Sequence, residues 1–200
     1  MMSTTITDTF RERIKEKLLE RMPHPGIYPT SVPGLRLFRK DIASDQAESC
    51  FCKPLVSIPI QGFKLATIDC VESRYGENQC LVACVDIPNM NCLIDAEPGK
   101  PFLSLTLDLD QNLIDRLIYE SPASTHRKKI IRKEAAVLDV DPVILDAFLR
   151  LLDVLDNENE IRILAPMIVR EIHYRLLIGP AGNLFRVFKL TEKTHASLLQ

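Results

Sequence analysis

Chemistry in this chain would have to come from few residues, and they are scattered. The four histidines are His24, His126, His173 and His195. Imidazole is the commonest protein ligand for many transition metals and the usual general base near neutral pH. No histidine lies between positions 25 and 125. His173 could act as a base, but no nucleophile accompanies it, so it reads as a helix-surface or interface residue. The six cysteines are Cys50, Cys52, Cys70, Cys80, Cys84 and Cys92. None forms a C-x-x-C pair, and no second cluster with histidine completes a zinc set. They are expected to be reduced, small and buried. Asp108 and Asp110 could pair as acids, yet Asp110 precedes a helical pattern and is better placed as its cap. The run Arg127-Lys128-Lys129-Ile130-Ile131-Arg132-Lys133 could hold a phosphate. Without interleaved aromatics or a recognition helix it reads, with His126 before it, as a solvated loop. Glycine-rich phosphate loops, G-x-S-x-G and H-E-x-x-H are absent. The sequence therefore predicts no catalytic residue, no metal ligands and no cofactor.

Composition sets the frame for these residues. With 200 residues, 46% of them apolar and 26% charged, the chain can bury a core without staples. A net charge of −2 leaves no bulk of positive charge to neutralise phosphates, so the chain alone is a poor nucleic-acid binder. The N-terminus has no signal-peptide pattern. The longest apolar run, Cys80 to Val85, is far short of the roughly 20 residues a membrane helix needs. A cytoplasmic protein without membrane partners is expected.

The elements follow from periodicity. Phe10, Ile14, Leu18 and Met22 recur every four residues, which predicts an amphipathic helix over 8–22, ended by Pro23, Pro25 and Gly26. From 34 to 110 the segments are short and rich in Val, Ile, Leu and Phe. Strands are predicted at 34–39, 54–60, 64–69, 80–87, 91–96 and 103–109, with turns at 73–78 and 97–100. In Leu103-Ser104-Leu105-Thr106-Leu107-Asp108-Leu109 leucine fills every second position, the mark of a strand with one buried face. Six to eight such strands suggest a sandwich or small barrel. A helix capped by Asp110 then runs to about Tyr119. Residues 121–132 read as a loop. Asp141-Pro142 opens a second helix, with Ile144, Phe148, Leu151, Leu152 and Leu155 on one stripe. The last helix covers 161–178, with Leu164, Ile168, Ile172 and Leu176 apolar, Pro166 near its start or at a kink, and Gly179-Pro180 at its end. A short polar link makes the last two an antiparallel hairpin.

Four segments in this order resemble the N-terminal domain of AraC-type bacterial transcription regulators. They are Pro54-Leu55-Val56-Ser57-Ile58-Pro59-Ile60-Gln61-Gly62-Phe63-Lys64; Tyr75 followed by Cys80-Leu81-Val82-Ala83-Cys84-Val85-Asp86-Ile87-Pro88; Lys100 to Asp110; and Leu164 to Gly182, which is similar to a "LAPLIxREIxYRLLxGPxG" signature. The resemblance implies an α+β, mainly β fold: a cupin-like β barrel or jelly roll, then a C-terminal antiparallel helical hairpin. It divides the chain into an N-terminal helix and arm (1–33), the barrel (34–110), a helical subdomain packed on it (111–190) and the start of a linker (191–200). It implies effector sensing, dimerisation or both, with promoter DNA read by helix-turn-helix motifs outside this chain. Expected partners are a small-molecule effector and a second copy. Arg36, Gln61, Tyr75 and Thr106 are the candidate ligand-binding residues, as polar groups on strands that could orient a ligand in an apolar pocket. Ile168, Ile172 and Leu176 are the candidate dimer seam. The alternative is a stand-alone cupin-like binding protein or enzyme. A metal-dependent enzyme of that kind brings two His and a Glu onto neighbouring strands, where this chain has no His.

Overall fold

The computed structural model describes residues 2–44, 46–68, 71–97, 99–121 and 135–185. The chain runs α1 (Met2–Arg21), β1 (Gly26–Pro29), β2 (Leu35–Lys40), β3 (Glu48–Cys52), β4 (Leu55–Gln61), β5 (Phe63–Ile68), β6 (Val71–Gly76), β7 (Gln79–Ala83), β8 (Ile87–Asp95), β9 (Phe102–Asp108), α2 (Gln111–Glu120), β10 (Ala135–Asp139), α3 (Pro142–Asp153) and α4 (Glu158–Ile178). A 3-10 turn, Val154–Asp156, joins the last two. The loop predicted at 121–132 falls, after Ser121, outside the described residues, as do His126, His195 and the linker at 191–200.

The described strands form two antiparallel sheets, ordered β1-β2-β9-β4-β7-β10 and β3-β8-β5-β6. They face each other as a cupin-like barrel. Leu55, Leu81 and Ala83 of the larger sheet meet Ala66, Tyr75, Ile87 and Cys92 of the smaller one in a shared cluster. The larger sheet is also covered on its other face. Leu35, Leu37, Val56, Ile58, Val82, Leu103, Leu105 and Leu107 join Ile14 and Leu18 of α1, Leu117 of α2, Phe148 of α3 and Ile172 of α4. The domain thus has three layers: helices, large sheet, small sheet. The β9 leucines point to the helices rather than into the barrel. Ser104 on the opposite face is buried too, so β9 has two covered faces and not one.

Four strands escape the sequence pattern. β1 and β10 are half-buried edge strands of four and five residues, too short for periodicity to register. β3 pairs with β8 through an irregular register. The stretch read as a turn at 73–78 is mostly β6. There only Tyr75 and Gly76 are buried, and the exposed outer face carries Glu72 and Arg74, which mimics a loop composition. The turn itself is confined to Glu77 and Asn78, where Asn78 takes φ 66°. Pro59 sits in a strand with neighbours on both sides. It is tolerated because β4 pairs with β7 only through Leu55–Ser57, so the missing N–H breaks no bond there.

The caps are as the sequence predicts. Asp110 accepts from the Asn112 and Leu113 amides at 2.8 and 3.2 Å, and Asp141 accepts from the Val143 amide at 2.9 Å. α4 starts earlier than expected, capped by Asn157. Pro166 is therefore inside the helix rather than in its first turn. On α1, Ile14, Leu18 and Met22 are fully buried, and Lys17 pairs with Asp153 at 2.7 Å. After α4 the chain turns back and buries Ala181, Leu184 and Phe185. Gly182 makes this possible, since a Cβ there would lie 2.0 Å from the Leu177 carbonyl oxygen. Gly182→Ala is expected to cost about 3 kcal/mol by overpacking. Gly99→Ala, at φ 79° with open space around it, should cost only about 1 kcal/mol of backbone strain. Urea denaturation of both variants checks this; equal losses would rule out a collision at Gly182.

Candidate functional site

The barrel face of the large sheet mixes polar side chains with Leu55, Leu81, Phe38 and Phe102, while most of the sheet's apolar side chains point the other way. Backbone register puts Arg36 of β2, Thr106 of β9, Ser57 of β4 and Leu81 of β7 in one row across four strands. Phe38, Ser104 and Pro59 form a parallel row two residues on. Across the interior, Tyr75 of β6 is paired in register with Lys64 of β5.

Tyr75 is the residue that stands out. Its side chain is 1% exposed, and its hydroxyl finds no hydrogen-bond partner among the described residues. Burial pushes the phenol up from its ordinary pKa, while the Lys64 charge and the Ser57 hydroxyl act in the opposite sense. Ser57 thus interacts with Tyr75 without forming a hydrogen bond of normal geometry. An unpaired buried hydroxyl costs roughly 1–3 kcal/mol, so its persistence needs a reason.

The other three predicted ligand residues divide. Thr106 is half-buried beside Arg36 and Ser57 in the polar row. Arg36 lies in that row too, but its guanidinium makes a two-pronged pair with Asp108 at 2.6 and 3.0 Å. Gln61 is buried and already committed, its Nε2 donating to the Pro101 carbonyl at 2.8 Å. It ties the end of β4 to the residue before β9. The structure brings Arg36 and Thr106 together, sets Tyr75 across the interior near Ser57, and gives Gln61 a structural bond. Ser57, Ser104 and Lys64 were missed. The signal is alternation: each lies between apolar residues, Ser57 and Ser104 on buried strands and Lys64 on the half-exposed β5.

Asp108 and Asp110 do not pair as acids. One binds Arg36 and the other caps α2. Cys80 and Cys84 are buried, and burial pushes their thiols up to about 12, so they are poor nucleophiles. Among the described residues no group of three or more His, Cys, Asp or Glu side chains could hold a metal ion.

His173 is neither at the surface nor at an open interface. It is 1% exposed. Its Nε2 accepts from the Asp110 amide at 2.9 Å, so the proton sits on Nδ1, which donates to the Val169 carbonyl at 2.8 Å. A neutral imidazole thus ties α4 to the cap of α2.

The predicted dimer seam also needs correction. Ile168, Ile172 and Leu176 are buried in the chain's own core against the sheet and the other helices. A seam needs exposed residues, and the exposed large apolar residues of α4 are Ile163, Leu164, Met167, Tyr174 and Ile178, so Leu164 does not share the burial of the rest of its predicted stripe.

The two facing sheets and the helices behind them define a cupin-like barrel backed by a helical layer. The chain belongs to the family described as the AraC-type transcriptional regulator N-terminus, which residues 31–184 match. Among solved structures, an apo form of ToxT from Vibrio cholerae strain SCE256 is similar with a TM-score of 0.56 at 7% identity, covering 74% of this chain and 56% of that one. At that identity the likeness concerns the fold. Unsaturated fatty acid-bound wild-type ToxT from the same strain gives 0.49 at 8% identity over 70% and 51% of the two chains. The AraC-like transcriptional activator CuxR gives 0.40 at 15% over 70% and 49%. This chain therefore spans little more than half the length of the ToxT chains. No curated protein sequence matches it. Among the described residues, no helix is long and apolar enough to cross a membrane.

Burial lowers the pKa of His173 from the ordinary 6.5, against the Val169 hydrogen bond and the Asp110 charge, which raise it. As pH falls, the unfolded chain takes up this proton before the folded one does. The stability held by neutral His173 is therefore full above about 6.5 and is lost as pH falls below that, through the folded value. His173→Gln should lose about 1–3 kcal/mol at pH 7.5. It should also show a shallower fall in stability toward pH 5 than the parent chain. Chemical denaturation at several pH values checks this, and an unchanged slope would remove His173 from the account.

Proposed function

We propose that this chain is the effector-sensing part of a cytoplasmic transcription regulator, acting as a binding module and not as an enzyme. The family supports the regulatory role. The single observation that carries the sensing role is the unpartnered Tyr75 hydroxyl inside the barrel. A ligand group reaching it would remove the cost of burying it unpaired. Thr106 and Ser57 stand in the polar row available to orient such a ligand, and Arg36 flanks them with its charge already balanced by Asp108. Gln61 serves by holding the chain that enters β9.

The ligand acts through differential affinity for two arrangements of the regulator. Two copies associate through the helical layer, and the arrangement they adopt sets the spacing of DNA-binding domains that lie outside this chain. Promoter DNA is read there. The net charge of −2 here fits a part that does not grip phosphates. The unsaturated fatty acid bound to ToxT is a ligand of that protein, and the effector of this chain is defined here only by the polar groups that would meet it. The stand-alone enzyme is not favoured, because the interior offers hydroxyls rather than imidazoles.

Tyr75→Phe tests the carrying observation. Removing an unpaired buried hydroxyl should leave the free chain as stable as the parent or up to about 1–3 kcal/mol more stable. Any metabolite that raises the melting temperature of the parent in a thermal-shift screen should bind the variant about 2–12-fold more weakly. A Tyr75→Phe chain that is clearly less stable would mean the hydroxyl already has a partner, and the proposed contact would fall.

A further inference from the structure

The outer face of the small sheet carries a cation whose donors the fold leaves unused. Ala66, Ile68 and Tyr75 turn into the barrel, so Phe63, Leu65 and Arg74 alternate onto the outside. Phe63 is paired in register with Gly76, where a Cβ would lie 2.3 Å from the ring's Cδ1. The glycine thus makes room for the ring over β6. Packing an aromatic ring over a facing glycine is a structural device of sheets. It does not account for Arg74, whose guanidinium sits 4.2 Å from the centre of that ring. Among the described residues Arg74 makes no hydrogen bond and no ion pair.

A hollow of about 240 Å³ opens beside this stack, lined by Phe63, Leu65, Arg74, Asp95, Ala43 and Ser44. Its wall at Ser44 is fixed. The Ser44 amide donates to the Ile94 carbonyl at 2.9 Å, and the Ser44 hydroxyl accepts from Lys40 Nζ at 2.8 Å. The floor is apolar on β5, between a cation on β6 and a carboxylate on β8. Register pairs Arg74 with Leu65 and Asp95 with Phe63, so the two charges stand at opposite corners of the hollow. β6 and β8 are two strand spacings apart, about 10 Å, and Arg74 covers part of that by leaning over Phe63. Arg74 and Asp95 thus border one hollow without pairing with each other.

That pattern defines the occupant. A lone anion would gain from Arg74 and be repelled by Asp95, and a lone cation would meet the reverse. A molecule with both charges and an apolar side chain suits all three surfaces. The hollow is below the roughly 300–1,000 Å³ of drug-sized sites, so the molecule is small. A guanidinium already held on a ring loses little freedom when it grips a carboxylate with two parallel donors. A peptide terminus supplies only one of the two charges. A free amino acid fits the hollow, and a chain end does not.

We propose that the hollow between Arg74 and Asp95 binds a small apolar amino acid, with its carboxylate on Arg74, its ammonium on Asp95 and its side chain over Phe63 and Leu65. The site lies outside the barrel and does not rest on the proposed function. Amide NMR of the full chain, titrated with L-leucine, tests it. Leucine should shift the Leu65, Arg74 and Asp95 amides saturably, with a Kd of roughly 1 mM. Isocaproate, which lacks the ammonium, and leucinamide, which lacks the carboxylate, should each bind at least about fivefold more weakly. Arg74→Gln should abolish the preference for leucine over leucinamide, and Asp95→Asn the preference over isocaproate. Both variants should keep the parent's melting temperature, because both side chains are exposed. Tyr75→Phe should bind leucine as the parent does. The proposal is overturned by the absence of a saturable shift at these amides, by isocaproate or leucinamide binding as tightly as leucine, or by preferences that survive the two substitutions. Loss of leucine binding in Tyr75→Phe also overturns it, since the molecule would then sit inside the barrel.

Discussion

The constraint on which this molecule depends is burial of the large sheet on both faces. β4 is buried along its whole length and β9 nearly so. Each strand must therefore satisfy two environments with alternate residues. Val56, Ile58, Leu103, Leu105 and Leu107 serve the helical face, which has the larger core. What remains for the barrel face is Leu55, Ser57, Pro59, Phe102, Ser104 and Thr106, a set that is more polar. The helices are thus what makes a polar interior tolerable, because they bury enough apolar area to offset hydroxyls placed inside. Roughly 25 cal/mol per Å² of buried apolar surface is the scale of that offset.

The same arrangement puts the barrel interior and the helices close along the chain. Thr106 faces the interior. Two residues later Asp108 holds Arg36, and two after that Asp110 caps α2 and offers its amide to His173. From a polar interior residue to the buried side of α4 is thus four residues and one hydrogen bond. His173 also ties down the Val169 carbonyl, one turn earlier on α4. A continuous set of contacts transmits nothing unless it has two discrete arrangements. The two His173 bonds hold one tautomer, and with it one arrangement of the α2 cap against α4.

The fold was legible where one physical cause dominates. The β9 leucines, the Asp110 and Asp141 caps, the α1 stripe and the Gly179 stop each express a single local rule, and each appears where the sequence puts it. β6 was not legible, because its outer face meets solvent and a single buried Tyr75 cannot establish a period. β10 was not, because an edge strand after a helix carries no local sign of its distant partner β7. In the candidate site Thr106 could be picked out as a polar group on a predicted strand, whereas Tyr75, a candidate by type, lies in a stretch read as a turn. Their facing partners could not, since Ser57 and Lys64 reach them through register between strands. Gln61 and His173 look like functional residues by type. Only their hydrogen bonds show them to be structural.

α4 shows why periodicity falls short of function. Its sequence holds two apolar stripes of similar regularity, and a count of spacings takes the one with Ile168, Ile172 and Leu176. Which stripe a helix buries depends on what lies beside it, here a sheet face and three other helices. Removing a buried side chain from the inner stripe leaves a cavity and weakens the whole domain. Changing the exposed residues leaves the core untouched. Stability is therefore carried by one face of the helix, and burial rather than hydrophobicity separates that face from the other. Because both faces share one backbone, a shift that repacks the inner stripe must also move the residues of the outer one.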